Sequence, residues 1–277
     1  MRKTLYLCAA PLAAALLLFT AHASRAQKDG GDAKPRADAP KAAGKVDEKA
    51  QAVVARAVEA LGGAAFLGVR TVVSKGYFTE FREGVSGIPD TFRDYLVFPD
   101  RDRTEFKGSR FIQAFAGDTG WAFDGRKRAL NDLTPEQMAG VRTTIRTSID
   151  NLLRGWWRAE GASLAYVGRR EAGLARRNEV VRLTYPDGFE AEFEFDAREG
   201  LPAKVLYKKA GEDGERVEEE DRYAQFLTIA GARFPFVIDH YRAGQQTSRV
   251  NYDTVEFNKP VPDSLFAKPA DVKAIKF

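Results

Sequence analysis

The segment Phe189-Glu190-Ala191-Glu192-Phe193-Glu194-Phe195-Asp196 constrains the fold more than any other stretch of this chain. Side chains alternate across an extended strand, so Phe189, Ala191, Phe193 and Phe195 share one face and four carboxylates share the other. A strand that is dry on one side and wet on the other belongs in an antiparallel sheet, since parallel strands are buried on both faces. Pro186-Asp187-Gly188 supplies the turn that joins it to a preceding apolar strand over 180–185 as a hairpin. Residues 69–81, 91–98, 102–107, 110–116 and 120–123 are likewise short, rich in aromatic and β-branched residues, and separated by Gly, Pro and Asp. Strands resume near Ser163 and continue to Phe257, with turns at 211–214 and at Ala243-Gly244. The count is about eleven to twelve strands, and no short-period repeat is visible.

Two helices accompany them. Val46, Ala50, Val53, Ala57 and Leu61 recur at three- and four-residue spacing, and Gly62-Gly63 stops the run. Thr134-Pro135-Glu136 opens the second, with Thr134 as N-cap and Pro135 at the first helical position. Met138, Val141, Ile145, Ile149 and Leu152 then form one apolar stripe, while Arg142, Arg146 and Arg154 wind from its edge towards solvent. The resulting fold class is mainly β with α: a curved antiparallel sheet whose apolar face the helices cover.

The N-terminus reads as an export signal. Arg2 and Lys3 precede an apolar run from Leu5 to Phe19, and Ala21-His22-Ala23 gives the small-x-small pattern of signal cleavage, with Ser24-Arg25-Ala26 as an alternative. The run is shorter than the ~20 residues of a membrane span and is interrupted by Pro11. Cys8, the one cysteine, lies inside the run behind Leu7, which does not suit a lipid-anchored start. Residues 24–45 contain no large apolar side chain and read as a disordered linker. The expected organisation is a signal over 1–23, a linker over 24–45 and one domain over 46–277, exported to a periplasm and monomeric. Cleavage removes Arg2 and Lys3 and brings 43 basic residues to 41 against 39 acidic, too balanced for a nucleic-acid binder.

Chemistry has little to work with. His22 leaves with the signal, so His240 is the one histidine of the mature chain, and no Cys/His metal site, D-x-D-x-D-G loop, G-x-S-x-G or phosphate-binding glycine motif is present. By alternation Asp239 points away from His240, which shares a face with Phe234, Phe236 and Ile238. Catalytic residues, metal and cofactor are all expected to be none, with a hydrolase using His240 as the minor alternative. The aromatic content is more informative. Of three Trp, nine Tyr and nineteen Phe, all but Tyr6 and Phe19 lie beyond the signal, and many fall on the same face of the expected strands. A curved sheet only partly covered by two helices would hold an apolar ligand in its concavity, against the simpler reading of an ordinary sandwich core.

The order of elements and several turns resemble the LolA-like family of periplasmic lipoprotein carriers and its longer outer-membrane lipoprotein-sorting relatives, from about Val46 to Pro269. The stretches that carry the resemblance are Ala60-Leu61-Gly62-Gly63, the corner Val97-Phe98-Pro99-Asp100-Arg101-Asp102-Arg103, the hairpin Gln113 to Trp121, Gly200-Leu201-Pro202, and Val255-Glu256-Phe257-Asn258 with Pro260-Val261 and Leu265-Phe266. The resemblance implies an unclosed half β-barrel with helices as a lid over a cavity for acyl chains of lipoproteins or other lipids. Its implied partners are an inner-membrane releasing complex and an outer-membrane acceptor. On this reading Phe92, Phe106, Ile112, Trp121, Phe193 and Phe236 line the cavity, and Met138, Ile145 and Ile149 form the lid. The family's latch is an arginine directly before the strand-end proline. Phe98 stands there in this chain, so Arg101 or Arg103 is the candidate latch. A sensor or interaction module of the same fold, binding an envelope protein, is the alternative.

Overall fold

A computed structural model describes residues 44–211 and 214–275; outside them it gives only a short antiparallel pairing of Tyr6–Leu7 with Leu16–Leu17. The rest of the expected signal and nearly all of the linker lie outside the described residues. Helix α1 (Glu48–Ala60) starts at Asp47, whose side chain accepts from the amides of Lys49 and Ala50, and ends before Gly62, which bends the chain at a positive φ of 114° into the short helix α2 (Ala64–Leu67).

Strands β1 (Thr71–Arg82), β2 (Val85–Ser86), β3 (Asp90–Val97), β4 (Arg101–Phe106), β5 (Phe111–Ala116), β6 (Thr119–Asp124) and β7 (Ala129–Asp132) follow as a meander. After the helical segment come β8 (Ser163–Glu171), β9 (Arg177–Thr184), β10 (Glu190–Asp196), β11 (Pro202–Ala210), β12 (Arg216–Ile229), β13 (Ala232–Arg242) and β14 (Gln245–Phe257). They form one 14-stranded sheet in the order β8-β9-β10-β11-β12-β13-β14-β1-β3-β4-β5-β6-β7, with β2 paired to β1. Every pairing is antiparallel. The first strand therefore lies mid-sheet beside the last, and β7 and β8 are the two edges of an unclosed half-barrel. The sheet exceeds the expected eleven to twelve strands because β2 and β7, of two and four residues, carry too little pattern to be read. Residues 45–47 cover the edge of β8, where Asp47 N–H donates to Leu164 and Leu164 N–H donates to Lys45.

The second expected helix is in fact two. Ser148 is extended (φ −68°, ψ 143°), closing α3 (Pro135–Thr147) and capping α4 (Ile149–Arg154) by accepting from the Asn151 amide. A serine that offers its own hydroxyl to a new helix start competes with continuation of the old one, and Asp150 in the new first turn favours the break. The break splits the apolar stripe. Met138 and Val141, with Ile145, pack on Phe115 and Leu133, whereas Ile149, Leu152 and Leu153 enter the main core. A 3₁₀ turn, Trp156–Glu160, leads the chain back to β8 and buries Trp157.

The main core fills the concave face. Phe78, Phe92, Phe106, Phe193, Phe195, Tyr223, Tyr252 and Trp157 pack there with Ala57 and Leu61 of the α1 segment and Leu152 of α4. The alternation read for β10 holds: Ala191, Phe193 and Phe195 are buried in this core. Its opposite face is not wet throughout, however. Glu194 is fully buried beneath Arg170 (2.6 Å), Asn178 (2.8 Å) and Lys204 (3.6 Å), because long basic side chains from neighbouring strands close over it.

Candidate functional site

The turns at Gly62, 98–100, 197–201 and 230–231 meet at one end of the half-barrel, where α1, α2 and α4 lie over the sheet. Between helices and strands runs a cleft of about 550 Å³ including its open mouth. Its walls include Phe66, Val72, Phe98, Ile149, Phe226 and Phe234, with Asp150 and Arg154 as the charged pair among them. Inside, water-sized molecules have only about 50 Å³, against the roughly 300–1,000 Å³ of a ligand-filled pocket. The helices and the aromatic side chains thus plug the concavity.

One residue ties this end together. Arg154, 7 % exposed at its side chain, donates to Asp150 (2.8 Å) and to the carbonyls of Phe66 (2.9 Å), Val69 (3.1 Å) and Leu67 (3.2 Å). Its guanidinium also lies over the rings of Phe66 (4.6 Å) and Phe98 (4.4 Å). Burial pushes the Asp150 carboxyl above its ordinary range, and Arg154 pulls it back. The arginine of this end therefore comes from α4, holds it to α2 and to the segment that leads into β1, and stacks on the Phe98 that stands before Pro99.

Arg101 and Arg103, the expected latch, lie on the outer face and hold the C-terminal tail. Arg101 pairs with Asp263, and Arg103 donates to the Leu265 carbonyl (2.8 Å) and stacks on Trp121 (5.2 Å). Strand alternation explains this, since the inward positions of β4 are Asp102, Thr104 and Phe106. Of the residues expected in the cavity, Phe92, Phe106 and Phe193 are buried in the main core with Ile149, and Phe236 packs against it half-buried. Ile112 and Trp121 belong to an outer-face cluster under the tail, where Trp121 Nε1–H donates to the Phe266 carbonyl (2.8 Å). Met138 and Ile145 sit beside Phe115, away from the cleft. Sequence reasoning passed over Phe66, Phe226 and Phe234, which line the mouth. Phe226 follows Gln225, whose φ of 54° breaks the alternation on which facing was judged.

The far end of the concave face is polar. His240 Nδ1 lies 2.6 Å from Asp221 Oδ1, both buried, while Asp239 points outward to Arg249 as alternation predicts. Burial holds the neighbouring Glu219 carboxyl up at about 7 against the attraction of Arg242 and Lys209. A carboxyl raised on folding keeps its proton in the native state while the unfolded chain releases it, so stability falls as pH rises from about 4.5 to 7. Glu219→Gln should therefore melt several degrees above the wild type at pH 8 and at the same temperature near pH 4. This corresponds to a gain on the order of 2–3 kcal/mol, and equal melting curves at pH 8 would refute the burial argument. Among the described residues no three His, Cys, Asp or Glu side chains converge as a metal-binding group.

No family model matches the chain, and no curated protein matches it in sequence. Solved structures do. A LolA superfamily protein from Nitrosomonas europaea superposes with a TM-score of 0.53 at 16% identity, covering 79% of this chain and 97% of that one. A DUF1329 family protein from Desulfovibrio piger superposes at 0.56 with 10% identity, covering 79% and 96%. The architecture is therefore LolA-like: an open, mainly antiparallel sheet with few helices.

Proposed function

We propose that this protein is an exported, non-enzymatic carrier that shelters acyl chains of lipoproteins or other lipids between its helix layer and the concave sheet. The observation that carries the reading is the apolar cleft closed by α4. An acyl chain in water gains roughly 0.8 kcal/mol per CH₂ on burial, and the concave face offers a continuous aromatic wall for it. In the closed form there is no room for such a chain. Loading therefore requires α4 and the Trp156–Glu160 turn to lift, pivoting at Ser148 and at Gly155 and Gly161, which both adopt positive φ. Export through the N-terminal signal would set this work between two membranes, with a releasing complex and an acceptor at either end.

The test is binding of a fluorescent fatty acid and of vesicle-extracted lipid by the mature chain, read with native mass spectrometry. Ile149→Glu puts a charge into the cleft and is expected to weaken binding at least about tenfold. Ile145→Glu, in the separate Phe115 cluster, is the control expected to bind as wild type. Undiminished binding by Ile149→Glu would remove α4 from the site.

A second reading, an interaction module for an envelope protein, draws on exposed apolar side chains at strand turns. Ile88 and Leu174 are 95% and 97% exposed. An empty protein that retains a partner would favour it. A hydrolase built on His240 has less support, since the imidazole is held against Asp221 and is 3% exposed.

A further inference from the structure

Three connections lie side by side at the end of the sheet opposite the cleft. They are residues 83–89, which include β2 and join β1 to β3, residues 107–110 between β4 and β5, and residues 125–128 between β6 and β7. These strands are antiparallel neighbours, so alternate connections share an end, and those at 98–100 and 117–118 fall at the other. Hydrogen bonds tie the three together. The Asp90 carboxylate accepts from the amides of Gly108 (2.6 Å) and Ser109 (2.8 Å). Gly125 N–H donates to the Arg110 carbonyl (2.7 Å), and the Arg126 guanidinium donates to the Gly108 carbonyl (3.4 Å).

The tips carry two kinds of side chain. Lys107, Arg110, Arg126, Lys127 and Arg128 are all exposed, and the two connections that hold them contain no acidic residue. With the flanking Arg82, Glu83, Asp90 and Asp124 counted, six basic residues stand against three acidic ones, a net charge of +3. Two of those acids are already engaged: Asp90 with the amides above, and Asp124 with the amides of Arg126 (3.0 Å) and Lys127 (3.1 Å) and with the Lys127 ammonium (3.3 Å). Arg110 and Arg128 adopt φ of 57° and 53°, a region that favours Gly or Asn, so the turns hold a basic side chain against the local backbone preference. Beside this charge the first connection presents Ile88, 95% exposed, and Val85, 71% exposed. Ile88 stands two residues before Asp90, which keeps their Cα atoms within about 7 Å of each other.

We infer that this corner docks on an anionic lipid bilayer, with Ile88 and Val85 entering the boundary between headgroups and acyl chains and the basic side chains held at the level of the phosphates. An apolar tip gains free energy only where hydrocarbon is within reach, and a basic cluster gains it where negative charge is dense. A leaflet that contains anionic lipid offers both within a few ångströms, in that order of depth. A nucleic acid would match the charge but leave the aliphatic tips in water. The inference does not depend on the carrier reading: the cleft opens at the other end of the sheet, so docking here leaves its mouth uncovered.

The test is co-sedimentation of the full mature chain with vesicles of phosphatidylcholine alone or mixed with phosphatidylglycerol. The wild type is expected to bind the mixed vesicles at least about tenfold more tightly than the neutral ones, and less tightly as salt is raised. The double variant Lys127→Glu/Arg128→Glu should lose at least about tenfold in affinity for the mixed vesicles. Ile88→Ser, which leaves the charge unchanged, should lose about three- to tenfold. All three side chains are exposed, so both variants should melt with the wild type. The proposal is overturned if the wild type binds both vesicles equally or neither, or if the charge variant binds as wild type. Wild-type binding by Ile88→Ser would overturn it too, because charge alone would then be at work and an acidic protein would be the better occupant. None of these failures would touch acyl-chain binding in the cleft, which is read separately.

Discussion

Replacing Arg154 by alanine is expected to lower the stability of this protein by about 3–5 kcal/mol at pH 7.5, because it breaks a largely buried ion pair and strips its partners at once. The guanidinium satisfies Asp150 and three backbone carbonyls of residues 66–69, and it fills the space between Phe66 and Phe98. Without it the Asp150 carboxylate, already disfavoured by burial, has no countercharge. The double variant Asp150→Asn/Arg154→Ala should recover a substantial part of the loss, since an amide needs no cation. Arg154→Lys should not rescue fully, because an ammonium on a flexible stem cannot reproduce the planar fork or its stacking. Urea unfolding of the four proteins measures this directly. A loss below about 1 kcal/mol for Arg154→Ala, the range of a surface pair, would mean that α4 is held by its apolar face alone.

The second large effect is expected at Trp157. It is 1% exposed in the main core, and its Nε1–H donates to the Leu152 carbonyl (3.1 Å) just before the helix ends. Trp157→Ala should cost about 3–5 kcal/mol by the loss of buried surface and the void left behind. The void would adjoin the concave wall, next to a cleft that has only about 50 Å³ to spare. The same substitution is therefore expected to strengthen binding of a short apolar probe by removing part of the plug. Denaturation and probe titration together separate these effects. A stability loss without any gain in probe binding would show that the core collapses into the space, and that Trp157 is packing rather than plug.

The strands were legible wherever one face is apolar and the other polar, as in β10, because burial on a sheet repeats every two residues and nothing else competes with that period. The capped start of α3 was legible for a similarly local reason, since Thr134 satisfies an amide three residues on, whereas the cap of α1 at Asp47, one residue inside the expected start at Val46, was not read. The break at Ser148 was not. The stripe from Met138 to Leu152 is continuous as a pattern, and only the geometry of two different packing partners, Phe115 and the main core, decides that it must be cut. Facing failed for Ile112 and Trp121 in the sense that both pack outward under the tail, a surface that no pattern in β5 or β6 announces. The tail residues 263–275 supply the apolar cover there, and they lie more than a hundred residues away in sequence.

What the chain determined by itself was the period of its elements and hence the class of its fold: one-sided strands, two capped helical regions and turns rich in Gly, Pro and Asp. Those properties depend on neighbours a few residues apart, which is the range over which sequence is explicit. What only the tertiary structure decided was company. Arg154 rather than Arg101 or Arg103 fastens the helices, Phe226 and Phe234 rather than Trp121 border the cleft, and the connection at 83–89 comes to lie beside those at 107–110 and 125–128. Each of these follows from strand register and from the closing of β14 against β1, pairings between residues up to 185 positions apart, as for Phe257 and Val72. Register is fixed by the summed burial of a whole sheet, so no single segment contains it.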